Sequence, residues 1–82
     1  MKELIHFSAT WCQPCKQMQP MLDKFLSDNP DIVYTKYDAD SNVSVFQEHD
    51  ITGVPAFIAK VNGKEIFHKG LASQDKLSGL FA

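Results

Sequence analysis

The hydrophobic pattern changes period between Phe7 and Gln13, and that switch limits the folds open to this chain. Leu4 to Phe7 is a short apolar run, suited to a central strand buried on both faces. Farther along, Met18, Met21, Leu22, Phe25 and Leu26 recur at helical spacing, which predicts a helix from about Gln13 to Ser27 with one apolar stripe. Pro14 suits the first turn of that helix, where its missing N–H costs nothing, whereas Pro20 falls mid-helix and should kink it. A strand that feeds a helix must bury both against something, so the next elements should complete a layered α/β domain.

The remaining elements read in the same way. Ser27-Asp28-Asn29-Pro30 is a turn, and Ile32 to Ala39, rich in β-branched and aromatic residues, is a second strand. Asp40-Ser41-Asn42 offers capping side chains before a short helix ending near His49. Ala56 to Val61 and Glu65 to Lys69 are strands joined through Asn62-Gly63, a strong hairpin signal. Ser73 can cap a last helix carrying Leu77, Leu80 and Phe81. The order is β-α-β-α-β-β-α. A helix between the first two strands implies a right-handed parallel crossover, and the hairpin adds an antiparallel pair. The expected sheet is therefore mixed and four-stranded, with helices on both faces.

With 82 residues, 44% of them hydrophobic, residues 1–82 suffice for one small domain. The net charge of −2 and scattered lysines, with no arginine stripe, argue against nucleic acid as a partner. No segment approaches the roughly 20 apolar residues of a membrane span, and Met1 to Phe7 lacks a signal peptide's long apolar region. The expected location is the cytoplasm. There a pair of cysteines points to metal binding or catalysis more than to a structural staple.

Cys12 and Cys15 flank Gln13-Pro14 where strand gives way to helix. A sulfur at a helix N-terminus lies near unpaired backbone N–H groups and the positive end of the helix dipole. A thiolate there gains roughly 0.3–2 kcal/mol, and its pKa falls. Cys15, one turn in, should be better buried and stay protonated until needed. Cys12 would then attack a disulfide and Cys15 would resolve the mixed disulfide. Three other readings stand beside this one. The pair could be half a zinc site completed by two of His6, His49 and His68, although none has finger spacing. It could form a purely structural disulfide. Cys15 could be an inert core residue, which leaves Cys12 unexplained.

The segment Phe7-Ser8-Ala9-Thr10-Trp11-Cys12-Gln13-Pro14-Cys15-Lys16 resembles the active-site segment of thioredoxins, with Gln13 where glycine is usual. Pro20, Ile51-Thr52-Gly53-Val54-Pro55, Lys60-Val61-Asn62-Gly63-Lys64, and Gly70 with Ser73 continue the resemblance over nearly the whole chain. It implies a thioredoxin fold, with Cys12 as nucleophile and Cys15 as resolving thiol. It also implies a cis bond before Pro55, backbone pairing of Val54 with a substrate strand, and an apolar docking patch of Trp11, Pro14, Val54, Pro55, Gly70 and Leu71. The implied partners are disulfide-containing proteins and an NADPH-dependent thioredoxin reductase. The protein itself is expected to be a monomer needing no cofactor and no metal.

Two departures from the family pattern stand out. About three residues precede the first apolar run, so the chain resembles a core-only version without the family's N-terminal strand and helix. Lower stability and an exposed sheet edge are expected of such a version. The family's buried aspartate, thought to relay a proton to the buried cysteine, is matched here by His6, and Lys36 matches the lysine that pairs with it. His6 is either a proton relay near pH 7 or a core histidine, and Lys36 either a solvated strand residue or a like charge nearby. The leading expectation is a protein-disulfide reductase. A glutathione-linked glutaredoxin is an alternative, weakened by the single glycine in Lys69-Gly70-Leu71-Ala72-Ser73-Gln74-Asp75. A non-redox binding module on the same fold is the alternative from another class.

Overall fold

The computed structural model describes residues 1–81; the expected domain's last residue, Ala82, lies outside the described residues. The elements are β1 (Lys2–Ser8), α1 (Gln13–Asp28), β2 (Ile32–Asp38), α2 (Val43–Glu48), β3 (Ala56–Val61), β4 (Lys64–Lys69) and α3 (Gln74–Leu80). This is the expected order. β1 runs longer at both ends than its apolar residues suggest, because its pairing with β2 extends from Lys2 opposite Ile32 to Ser8 opposite Asp38. Phe81 lies just beyond α3, at its C-cap, rather than inside it.

The sheet is ordered β2-β1-β3-β4. β1 pairs parallel with β2 and antiparallel with β3, and β3 pairs antiparallel with β4. The mixed sheet follows from the α1 crossover and from the Asn62-Gly63 turn, where both residues take positive φ (51° and 87°), as a tight hairpin needs. The interior strands β1 and β3 are the apolar ones. The outer strand β4 is mostly exposed and carries Lys64, Glu65 and Lys69, charges that discourage edge-to-edge pairing.

Alternate residues of β1 and β3 face opposite layers. On one face Leu4, Phe57 and Ala59 meet Met18, Leu22 and Phe25 of α1 and Leu77 and Leu80 of α3. On the other, Ile5, Phe7, Ala56 and Ile58 meet Phe46 of α2. Each fully buried Leu or Phe contributes about 1.5–3 kcal/mol, so these two layers hold the sheet between its helices. α1 continues through Pro20 as one helix, with Met18, Leu22 and Phe25 buried along the predicted stripe.

Candidate active site

The turn between β1 and α1 is fixed from several directions. The N–H of Cys12 donates to the Ala9 carbonyl (3.1 Å), and the Cys12 carbonyl accepts from the Lys16 N–H (3.2 Å), which starts the helical ladder. Cys12 is the N-cap of α1 in extended conformation, and its Sγ accepts from the Cys15 N–H at 3.3 Å. A sulfur thus occupies the place that a serine or aspartate oxygen takes in most caps. Cys12 and Cys15 form a disulfide, with Cα atoms 5.3 Å apart.

Both cysteines are buried, at 4% and 2% exposure, and pack with Ala9, Ala39 and Val54. Cys15 is the better buried of the two, as expected, but by a small margin in the disulfide form. What distinguishes the two sulfurs is position. Cys12 sits outside the first turn against a backbone donor, and Cys15 sits inside it. Cys15 also lines a cleft of about 710 Å³ between α1 and β2, together with Lys16, Gln19, Lys36 and Asp38.

The segments expected to dock a partner converge on this turn. The Val54–Pro55 bond is cis, Pro55 is buried, and its carbonyl accepts from the Gly70 N–H at 2.8 Å. That bond joins the segment beside the cysteines to the loop between β4 and α3. Leu71 (60% exposed) and Pro14 line one groove of about 320 Å³ with Met18 and Met21. Trp11 stands 63% exposed next to Cys12.

His6 is fully buried and lies outside the lining of the Cys15 cleft. Its Nδ1 is 3.0 Å from the Tyr34 hydroxyl, and its ring stacks on Phe57 with centroids 4.6 Å apart. Nε2 has no partner among the described residues. Burial, helped by the nearby Lys36 charge, pulls its pKa from 6.5 down to about 4. At pH 7 the ring is therefore neutral and lends no positive charge to a Cys15 thiolate. Lys36 is exposed and donates to Gln19 Oε1 at 3.1 Å, and its charge helps to keep His6 neutral. His49 and His68 are engaged elsewhere, each within hydrogen-bond distance of a backbone carbonyl. No group of three His, Cys, Asp or Glu residues among the described residues lies close enough to hold a metal ion.

Sequence reasoning missed Asp38. Its carboxylate accepts from the backbone N–H groups of Thr10 (3.1 Å), Asp40 (3.0 Å) and Ser41 (3.1 Å). It thereby ties the loop before Cys12 to the loop after β2. An aspartate at a strand end ahead of Asp40-Ser41-Asn42 is a turn signal, but the Thr10 contact spans the fold and leaves no local mark.

The thioredoxin family model matches residues 1–81. The chain is 40% identical over 65 residues to mitochondrial thioredoxin-3 of Saccharomyces cerevisiae, a match covering 79% of this chain and 51% of that protein. It is 32% identical over 80 residues to a thioredoxin of Chlamydia trachomatis, covering 96% of this chain and 78% of that one. The crystal structure of thioredoxin NaTrxh from Nicotiana alata superposes with a TM-score of 0.85 at 33% identity, over 95% of this chain and 68% of that one. The chain spans about half the length of the yeast relative. A sulfur-capped helix in this sheet order, with the family model matched over residues 1–81, places the chain in the thioredoxin family.

Proposed function

We propose that this protein is a cytoplasmic, monomeric protein-disulfide reductase in which Cys12 is the nucleophile and Cys15 the resolving thiol. The observation that carries this reading is the Cys12 sulfur serving as N-cap of α1 and accepting the Cys15 N–H. A thiolate at that position is stabilised by an existing donor and by the helix dipole, without any rearrangement of the backbone.

In the dithiol form the Cys12 thiolate attacks one sulfur of a substrate disulfide. A mixed disulfide forms and the first substrate thiolate leaves. Cys15 then gives up its proton and attacks the Cys12 sulfur, expelling the second substrate thiolate and closing the Cys12–Cys15 disulfide. Two electrons pass from protein to substrate. A flavoprotein thioredoxin reductase, drawing on NADPH, returns them. The exposed Trp11, Pro14 and Leu71, with the half-buried Gly70 bonded to Pro55 and with Val54 packed against the cysteines, present the surface on which an extended substrate chain would lie. His6 acts in this reading as a neutral core residue. The charged side chains of the β4 edge favour the monomer.

The test is insulin reduction coupled to NADPH consumption, with thioredoxin reductase as sole electron source. Turnover that disappears in Cys12→Ser supports the proposal. Turnover only with glutathione would move the assignment to a glutaredoxin, and none with either would leave a binding module.

A further inference from the structure

His68 is half-buried on β4 and lies directly opposite Phe57, so the two share the sheet face that carries α1 and α3. Their rings lie 6.4 Å apart, centroid to centroid. The Nε2 of His68 is 3.0 Å from the carbonyl oxygen of Leu71. A carbonyl can only accept, so Nε2 carries the proton and donates, in the neutral Nε2–H tautomer and in the imidazolium alike.

Gly70 makes this contact possible. Its φ of +96°, a conformation that other residues rarely adopt, turns the chain so that the carbonyl of residue 71 meets the side chain of residue 68. The segment is held on both sides as well. Gly70 N–H donates to Pro55 (2.8 Å), and Ser73 Oγ caps α3 by accepting from the Lys76 N–H (3.1 Å). Leu71 itself is exposed, and its side chain shares a groove with Pro14 of the cysteine motif.

We propose that His68 is a positioning residue for substrate docking. Its Nε2–H holds Leu71 where that side chain and Pro14 form one groove for an apolar side chain flanking the substrate disulfide. The inference rests on the disulfide-exchange reading above. His68 is argued to work through Leu71 rather than through the sulfurs, so it governs capture and leaves the chemistry of exchange alone.

The test is single-turnover oxidation of the pre-reduced protein by insulin over a concentration series, beside its oxidation by the small aromatic disulfide DTNB, which has no chain to dock. His68→Ala should raise the half-saturating insulin concentration about two- to tenfold, the effect of one hydrogen bond. Its maximal rate and its DTNB rate should stay at the wild-type values. His68→Gln, with an amide N–H of similar reach, should recover most of the loss, and His68→Ala should add little in a Leu71→Ala background. The inference is overturned if His68→Ala leaves half-saturation unchanged, slows DTNB as much as insulin, or is not rescued by glutamine. A wild-type protein that oxidises with neither disulfide overturns the exchange reading itself, and this inference with it.

Discussion

At the scale of single residues, His6 has the largest consequence that can be read from one group. Unfolded, it takes up a proton near pH 6.5, but folded only near pH 4. Between those values the unfolded chain binds more protons, so falling pH favours unfolding, and the loss levels off below about 4. The shift corresponds to about 3 kcal/mol across that window. Urea denaturation of His6→Leu should show stability varying less between pH 6.5 and 4 than in the wild type. An equally steep acid loss would place the proton uptake elsewhere. Because the ring is already neutral at pH 7, the same variant should keep the wild-type pH–rate profile of exchange between pH 6 and 8.

Asp38 makes a second residue-level case. Three backbone donors from two loops share its carboxylate. Asp38→Ala should cost about 2 kcal/mol in chemical denaturation, and Asp38→Asn, which keeps one acceptor oxygen, less than half of that. The alanine variant should also slow exchange, since Thr10 leads directly into the cysteine turn.

At the scale of elements, the ends carry as much of the design as the interiors. α3 has only the seven residues Gln74–Leu80 and depends on its cap and on two buried leucines. Ser73→Ala should cost about 1 kcal/mol, read as a lower urea midpoint with unchanged slope. The elements themselves were legible because each carries a local cue: the helical stripe of α1, the β-branched run of β2, and Asn62-Gly63 between β3 and β4. β4 shows the strength of that turn, since its side chains are mostly exposed and its burial pattern alone would not mark it as a strand. The limits of β1 were less legible. Lys2, Glu3 and Ser8 are polar, and they join the strand because the backbone ladder continues past the apolar core.

The candidate site divides along the same line. The cysteine pair, its place at the helix N-terminus and the segments around Pro55 and Gly70 are sequence-local, and the motif exposes them. The bond from Gly70 to the Pro55 carbonyl, the Thr10–Asp38 link and the neutral state of His6 depend on residues brought together only by folding. The burial of the cysteine pair belongs with these, because Ala39 and Val54, which pack against its cluster, come from segments distant in sequence.

At the scale of the molecule, one sheet serves two small apolar layers, and β3 supplies both with alternate side chains. Phe57 is the joint of the first layer. It is fully buried, stacks on His6 and contacts His68. A domain of this size is held by roughly 4–12 kcal/mol in all. Phe57→Ala should remove about 3–5 kcal/mol of that, a quarter or more of the whole, and lower the urea midpoint accordingly. A loss under about 1 kcal/mol would mean that the sheet does not rely on this layer.

The rigid parts of the molecule converge on one chemical asymmetry, a sulfur outside the first turn of α1 and a sulfur within it. Trapping the exchange intermediate tests that asymmetry directly. Reduced Cys15→Ser, mixed with oxidised insulin, should accumulate a covalent complex joined through Cys12 and stable until a reductant is added, whereas Cys12→Ser should form none. A complex joined through Cys15 in the Cys12→Ser protein, or no complex with either variant, would contradict the assignment of Cys12 as the attacking group.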